Sequence, residues 1–385
     1  MLLPFILLLA GCWSKRELNE LAIVMALGID KVDDDEYEIS VQLIDPNEIS
    51  SNTPSSGRTP VVTYNTKGES VYEAGKKLTT LTPRLPYYAH TQVIVIGEEL
   101  ATEGIRGSLD LFTRNVETRG DFNLLIARNS TAKDILNVLT PLEHVPANKI
   151  INSMKGTEKA WGSIHSVILD DFVNLLNNNS KSAVLPAIEI KGQKKLGIGK
   201  TNVEKIDTPV LLQYSGMAIF NEDRLVGILS DEESRYFSYL NNKMQSTTEV
   251  ISCPKEGVLS TEITKSVAKT TGKFESGIPV MNVSINIEQN VAEVQCQIDL
   301  TKNSTIQKIN DKTRDLIKDK TEQLILTIQE KYRTDVFGYG EILHRSDPEE
   351  WSNIKNDWET LFQDLKVNVE VNVTTQGVGN IMNKS

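Results

Sequence analysis

The strictest pattern in the sequence is an alternation of valines near its C-terminus. Val367, Val369, Val371 and Val373 are each separated by one polar residue. Because successive side chains of a strand point to opposite faces, this period of two predicts a strand with one buried face. Two helical patterns come directly before this strand, and a region rich in strand signals comes before the helices. We therefore expect the valine strand to return to an earlier sheet and to complete an α+β domain.

The first of the two helical patterns is long and amphipathic. Ser304 and Gln307 have the spacing of a capping box, which predicts the start of the helix. Apolar residues then recur at helical spacing over about eight turns. They are Ile306, Ile309, Leu316, Ile317, Leu324 and Ile328. This spacing predicts one helix with a single apolar face.

The second helical pattern begins at Asp347. Asp347, Pro348 and Glu350 occupy the N-cap, N1 and N3 positions, where these residue types are preferred. The apolar positions that follow are Trp351, Ile354, Trp358, Leu361, Phe362 and Leu365. A ligand cleft could use such aromatic side chains, but a narrow stripe on one helix face favours core packing. We expect Trp351 and Trp358 to be buried.

The N-terminal part of the chain alternates between strand and helix signals. Residues 18–44 predict a hairpin with an acidic turn, and residues 45–60 predict a loop rich in Ser, Asn, Pro and Gly. A helix is predicted from the spacing of Val71, Ala74, Leu78 and Leu81. The segments that follow predict strands at 90–97 and 122–127 and helices at 99–112 and 131–139. Such alternation favours an α/β layer structure.

The remaining segments complete the expected domain organisation. Residues 141–199 are less regular, with a helix near 166–177, a strand at 183–190 and an exposed hairpin or linker from Lys191. A hairpin centred on 221–223 begins a further unit. We expect a signal segment at 1–12, an N-terminal α/β domain at 13–140, a smaller middle domain at 141–207 and a C-terminal α+β domain at 208–385. The C-terminal sheet should pack with two long helices.

An apolar run at the start of the chain ends at a single cysteine. Residues 1–10 are too few for a helix that crosses a bilayer, which takes roughly 20 apolar residues, but they fit the apolar region of a secretory signal. Leu9-Ala10-Gly11-Cys12 has the form of a lipobox. In this interpretation a signal peptidase recognises Leu9, Ala10 and Gly11, and the Cys12 thiol carries lipid. The other interpretation is a buried core segment with an ordinary thiol.

Charge and cysteine content limit the possible partners. The net charge of −11 argues against nucleic acid, which requires a basic face, and against electrostatic adhesion to anionic lipid. Acyl chains would therefore supply the membrane attachment. Besides Cys12 the chain has Cys253 and Cys296, both at strand-like positions. They could form a disulfide or remain buried free thiols.

Motifs of catalysis and metal binding are missing from the sequence. The four histidines, His90, His144, His165 and His344, do not have the spacing of metal ligands, and no nucleophile elbow or dinucleotide-binding turn occurs. His90 stands at the start of a predicted buried strand and is expected to be a hydrogen-bonded structural residue. We therefore expect no catalytic residue, metal or cofactor, and a binding or assembly role.

Three stretches of the sequence carry a family resemblance. They are GCWSKRELNELAIVMALGID at 11–30, HTQVIVIGEELATEGI at 90–105 and DVFGYGEILHRSDPEEWSNIKNDWETLF at 335–362. They resemble the Ger(x)C family, the lipoprotein C-subunits of nutrient germinant receptors in spore-forming bacteria, over residues 8 to 378. The resemblance implies lipidation at Cys12 and display on the outer face of the inner spore membrane. It also implies two integral membrane subunits as partners, α/β-type domains and no catalytic site.

Two other functions remain as alternatives. A solute-binding lipoprotein of a transport system would need two similar α/β lobes around a cleft, and the predicted C-terminal half does not fit that plan. A lipid-anchored hydrolase is opposed by the missing motifs. The sequence favours a receptor subunit for spore germination that acts without catalysis.

Overall fold

The computed structural model describes residues 20–33, 36–49, 58–114, 120–177, 180–253 and 256–379. Within these ranges the chain forms two β-sheets and helices that pack against them. The mixed α+β fold predicted from the sequence is confirmed.

The first sheet has nine strands. They are β1 (Leu21–Asp33), β2 (Glu36–Ile44), β3 (Val61–Gly68), β4 (Leu85–Tyr87), β5 (Val93–Gly97), β6 (Asn123–Ala127), β7 (Val184–Gly192), β8 (Val210–Asn221) and β9 (Arg224–Ile228). Their order is β3-β2-β1-β5-β6-β7-β8-β9, and β4 pairs with the start of β1. Strands β1, β5, β6 and β7 are parallel, whereas the outer strands are antiparallel.

Helices lie in most of the connections between these strands, and those between the parallel strands β5, β6 and β7 make the crossovers that parallel pairing requires. The helices that accompany the first sheet are α1 (Pro46–Ile49), α2 (Val71–Lys77), α3 (Glu98–Glu103), α4 (Arg106–Arg114), α5 (Ala132–Leu136), α6 (Pro146–Ala160), α7 (Leu169–Leu176), α8 (Lys194–Gly197) and α9 (Thr201–Glu204). Short 3₁₀ turns follow α2 at Leu78–Thr80 and precede β5 at Tyr88–His90. The predicted α/β alternation is confirmed in this part of the chain.

The second sheet has four strands in the order β10-β11-β12-β13. They are β10 (Thr247–Ser252), β11 (Val258–Glu275), β12 (Ile278–Val294) and β13 (Lys366–Gly377). β13 is the predicted valine strand, and it pairs in parallel with β12. Its Val369 and Val371 side chains are buried. The prediction that this strand returns to an earlier sheet is confirmed.

One long helix and several short ones accompany the second sheet. They are α10 (Asp231–Leu240), α11 (Asn303–Thr327), α12 (Tyr339–Ser346), α13 (Pro348–Ile354) and α14 (Trp358–Gln363). A π turn, Ile328–Tyr332, continues α11, and a 3₁₀ turn, Lys355–Asp357, separates α13 from α14. The expected second long helix is therefore two short helices, although its predicted N-cap is confirmed: Asp347 accepts the N–H of Glu350 at 3.1 Å.

Several predicted boundaries were wrong. The long helix begins at Asn303 with Lys302 as N-cap, so the expected capping box of Ser304 does not form. The helix expected at 99–112 is interrupted at Gly104, whose φ of +128° a helix cannot contain. The segment after Lys191, expected as an exposed hairpin or linker, is a linker between β7 and β8 that contains two short helices. The helix expected to bury Leu81 ends earlier, and Leu81 is exposed.

A continuous apolar core joins the two sheets. It includes Met25 and Val95 of the first sheet together with Ile285 and Val371 of the second. A second core fills the opposite face of the first sheet. The last strand of the first sheet ends at Ile228, and the first strand of the second sheet begins at Thr247. The domain boundaries at 140/141 and 207/208 that the sequence suggested stay a prediction.

A disulfide closes the far end of the second sheet. Cys253 and Cys296 are bonded, which resolves the alternative left open by the sequence. The bond lies in a small apolar cluster with Ile251 and Leu259. It links the residue after β10 to the segment after β12, so it encloses the β11–β12 hairpin in a covalent loop.

Candidate functional site

The residues predicted to direct lipidation, Leu9, Ala10, Gly11 and Cys12, lie outside the described part of the chain. Residues 20–30, 90–105 and 335–362 of the stretches that carry the family resemblance are described, and each contributes a buried contact. One of these contacts is the junction between the two sheets, built by residues 332–340.

The junction is organised by the carboxylate of Asp335. Its Oδ1 accepts the backbone N–H groups of Phe337 at 3.2 Å and Gly338 at 2.9 Å. Its Oδ2 accepts the N–H of Gly340 at 2.8 Å and the indole Nε1–H of Trp358 at 3.2 Å. A carboxylate can accept about four such bonds, so the loop satisfies one buried charge with its own backbone and one side chain.

The loop around Asp335 is also bound to the first sheet. The backbone N–H of Ser182, just before β7, donates to the Asp335 carbonyl at 2.8 Å, and the hydroxyls of Ser182 and Thr334 form a hydrogen bond. Gly338 has a φ of +75°, and a Cβ there would lie 2.8 Å from Lys181 Cδ. Only glycine combines this backbone with this close approach. The junction therefore fixes one sheet relative to the other.

Aromatic rings fill the space behind the loop. The ring centroids of Trp351 and Trp358 are 5.2 Å apart at an interplanar angle of 66°, an edge-to-face arrangement that aromatic pairs favour. Tyr339 lies 5.0 Å from Phe337. A Cβ at Gly340 would lie 2.7 Å from Trp358 Nε1, so the backbone packs directly on the indole. The predicted burial of both tryptophans is confirmed, each being 5% exposed.

A polar cavity opens beside the junction. It has a volume of about 380 Å³ and contains charged side chains of both signs, among them Arg106, Lys181, Arg333, Glu222 and Glu359. In the lining of this cavity, the side-chain amide of Asn221 in β8 donates a hydrogen bond to the Glu359 carboxylate of α14 at 3.1 Å. These contacts connect the strands of the first sheet to the helices of the second.

The other two stretches meet at Asp30. This buried carboxylate accepts the N–H groups of Ala132 at 2.7 Å and Lys133 at 2.9 Å, at the start of α5. A Cβ at Gly97 would lie 2.3 Å from Asp30 Oδ1, so Gly97 leaves room for the carboxylate. Burial raises the pKa of Asp30 to about 6, and the two N–H donors oppose that rise. The contact joins β1, β5 and α5.

The histidines do not gather into a site. His90 is exposed and ends the 3₁₀ turn before β5, so it lies outside the strand that it was expected to begin. Its role as a hydrogen-bonded structural residue stays a prediction. His165 is buried against Phe237, and burial lowers its pKa to about 3. Among the described residues no group of His, Cys, Asp or Glu side chains could hold a metal ion.

Burial raises the pKa of the Asp335 carboxyl to about 6, against an ordinary value of 3.8. The folded chain therefore binds the proton of this carboxyl more tightly than the unfolded chain does, and the free energy of unfolding falls as the pH rises from about 4 to about 6. Over that range the free energy of unfolding of the wild type should fall by about 3 kcal/mol relative to that of Asp335→Asn. Chemical denaturation at a series of pH values measures the difference. Asp207→Asn, at an exposed carboxyl, is the control, and equal slopes for all three proteins would contradict the assignment.

Two family models match the chain. The model described as "Spore germination protein N-terminal domain" matches residues 14–190. The model described as "Spore germination B3/ GerAC like, C-terminal" matches residues 215–379. Together they include strands of both sheets, and residues 191–214 lie outside both matches. The chain belongs to the Ger(x)C family of spore germination proteins. The Asp335 junction lies within the segment that the second model matches.

Curated relatives match this Ger(x)C protein over nearly its full length. Spore germination protein KC of Bacillus subtilis (strain 168) is 29% identical over 367 residues, covering 93% of this chain and 89% of the relative. Spore germination protein B3 of the same organism is 24% identical over 384 residues, covering 97% of this chain and 96% of the relative. These matches support a role in spore germination.

A solved structure shares the fold. The crystal structure of the GerBC protein aligns with a TM-score of 0.59 at 20% identity, covering 91% of this chain and 96% of that one. This Ger(x)C protein therefore shares the fold of the GerBC protein.

The described helices include none that is both long and apolar enough to cross a membrane. The solute-binding alternative required two similar lobes. The nine-stranded mixed sheet and the four-stranded sheet differ in size and topology, and one apolar core joins them. This arrangement does not fit a pair of similar lobes that close on a solute.

Proposed function

We propose that this protein is the lipid-anchored C-subunit of a nutrient germinant receptor. It is tethered through Cys12 to the outer face of the inner spore membrane and acts beside two integral membrane subunits. Its part is assembly or signalling within the receptor, without turnover of its own. Membership of the Ger(x)C family carries this proposal, and the Leu-Ala-Gly-Cys sequence at 9–12 supports the mode of attachment.

The described fold is consistent with a role in assembly or signalling within the receptor. The Asp335 junction and the continuous apolar core hold the two sheets in one arrangement. A rigid body of this kind can bias the conformational equilibrium of a membrane partner through its differential affinity for the two partner states.

The lipid anchor is tested directly at Cys12. In cells grown with radioactive fatty acid, the wild type should carry label and sediment with membranes, whereas Cys12→Ala should lose both properties because the acylated thiol is gone. The matched control is Cys253→Ala with Cys296→Ala, which removes the other two cysteines and should keep the label. A labelled, membrane-bound Cys12→Ala protein would show that the anchor is elsewhere.

A further inference from the structure

The turn between α2 and β4 forms an unusual surface for so acidic a protein. From residue 74 to residue 97 the sequence contains Lys76, Lys77 and Arg84 but no Asp or Glu. In the same turn Leu81 is 52% exposed and Leu85 is 46% exposed. We call residues 76–85 the basic apolar surface. It combines cationic and large apolar side chains, although the net charge of the chain is −11.

The exposure of Leu81 and Leu85 is built into the turn. Leu78 is fully buried and anchors it to the core. The Thr82 hydroxyl donates to the Leu78 carbonyl at 3.0 Å, and the Thr80 hydroxyl donates to the Lys77 carbonyl at 2.7 Å. These local bonds hold the turn, so Leu81 points outward while Leu78 stays inside. The apolar side chains are thus presented to the surroundings by an ordered segment.

This surface lies where the chain emerges from its N-terminal segment. β4 pairs in parallel with the first residues of β1, with Leu85 opposite Leu21 and Tyr87 opposite Ile23. Cys12 is nine residues before Leu21. Nine residues span at most about 30 Å when fully extended. A lipid on Cys12 therefore keeps the start of β1, and Leu85 with it, close to the bilayer.

We propose that the basic apolar surface contacts the bilayer beside the lipid anchor, with Leu81 and Leu85 at the headgroup boundary and Lys76 and Arg84 near anionic headgroups. The proposal rests on the lipid anchor proposed above. Cationic side chains interleaved with apolar ones are the composition by which proteins lie on a membrane interface. Each basic residue near an anionic leaflet strengthens binding about fivefold. The contact fixes which side of the molecule faces the membrane.

Another basic, apolar segment provides a matched comparison. The connection between β7 and β8 contains Lys194, Lys195 and the exposed residues Leu196 and Ile206. Because β1 and β7 point the same way in the sheet, the end of β7 lies at the opposite edge from the start of β1. Both places combine lysines with exposed apolar side chains, although the connection between β7 and β8 also contains Glu204 and Asp207. Of the two, the basic apolar surface is the one next to the tether.

The experiment places one fluorescent label on the lipidated protein in vesicles. Leu81→Cys, Leu85→Cys and the control Ile206→Cys each introduce a single free thiol, because Cys253 and Cys296 are bonded and Cys12 carries lipid. The vesicles contain phosphatidylcholine, with and without phosphatidylglycerol, and brominated acyl chains quench labels at the membrane. We expect quenching at positions 81 and 85, stronger with phosphatidylglycerol, and none at 206.

Charge and the source of the contact are tested in the same system. Lys76→Gln or Arg84→Gln should each lower the equilibrium constant for bilayer contact of the Leu85→Cys protein about fivefold in vesicles with phosphatidylglycerol. Absent quenching at 81 and 85 in protein that still floats with the vesicles overturns the proposal and leaves the anchor intact. Shielding of these labels only by added membrane subunits also overturns it, in favour of a protein contact. Failure of the unlabelled protein to float overturns the anchor itself.

Discussion

Trp358→Ala is expected to lower the free energy of unfolding by about 3–5 kcal/mol. The indole is 5% exposed, packs against Trp351 and Phe362, and donates its Nε1–H to Asp335. Truncation leaves a cavity and removes one of the side-chain and backbone donors that offset the buried charge of Asp335. Because the junction joins the two sheets, the loss should appear in the unfolding of the whole chain. Denaturant titration followed by circular dichroism measures it.

A second tryptophan supplies the control for this substitution. Trp161 is 39% exposed and lies over the guanidinium of Arg235 at 4.5 Å. Because Arg235 is buried, this cation–π contact is worth up to about 2 kcal/mol. The Trp161 Nε1–H also donates to Asp231 at 2.7 Å. Trp161→Ala should still cost less than Trp358→Ala, because the partly exposed indole leaves no core cavity behind. A change under about 0.5 kcal/mol for Trp358→Ala, typical of surface sites, would mean that the aromatic stripe does not hold the junction.

The elements that the sequence predicted well share a strong, one-sided burial pattern. The valines of β13 alternate at a period of two, and the apolar positions of α11 recur at helical spacing with Ile309, Ile317 and Leu324 buried. In both elements one face meets the core and the other meets solvent. The spacing of apolar residues along the sequence reveals such a pattern even when the elements that pack against it are unknown.

One element that the sequence missed lacks such a pattern. β11 was not predicted, because beyond Ile263 its side chains are mostly small or polar and only partly buried. Its pairing with the alternating residues of β12 forms it. Tertiary contacts decide such a segment, and a single sequence does not display those contacts. The helix α6, by contrast, was missed although its buried apolar residues recur at helical spacing and Pro146 occupies its first turn, so its sequence could have predicted it.

The candidate site was only partly accessible from the sequence. The resemblance singled out the stretch from Asp335 onward, but the role of its first residue was not predicted. Asp before a glycine-containing turn is a known signal, because its side chain accepts nearby backbone N–H groups. That signal could have found Asp335. The contact with Ser182 could not have been found, since it joins residues far apart in the chain.

Loss of the protein should abolish the germination response to a specific nutrient. The expectation follows from membership of a spore germination family and from the lipid attachment proposed at Cys12. A subunit that biases its membrane partners has no product that other molecules could supply, so its loss should remove the response of that receptor altogether. Agents that trigger germination downstream of receptors should act as before, because they do not use this subunit.

The most direct test measures germination of spores that lack this gene region and any related copy. Spores are exposed separately to a panel of single nutrients and to an agent that bypasses nutrient receptors, and the loss of refractility is followed over time. We expect no response to at least one nutrient that triggers wild-type spores, a normal response to the bypassing agent, and recovery of the nutrient response with the wild-type gene but not with Cys12→Ala. Normal responses to every nutrient would contradict the receptor-subunit account.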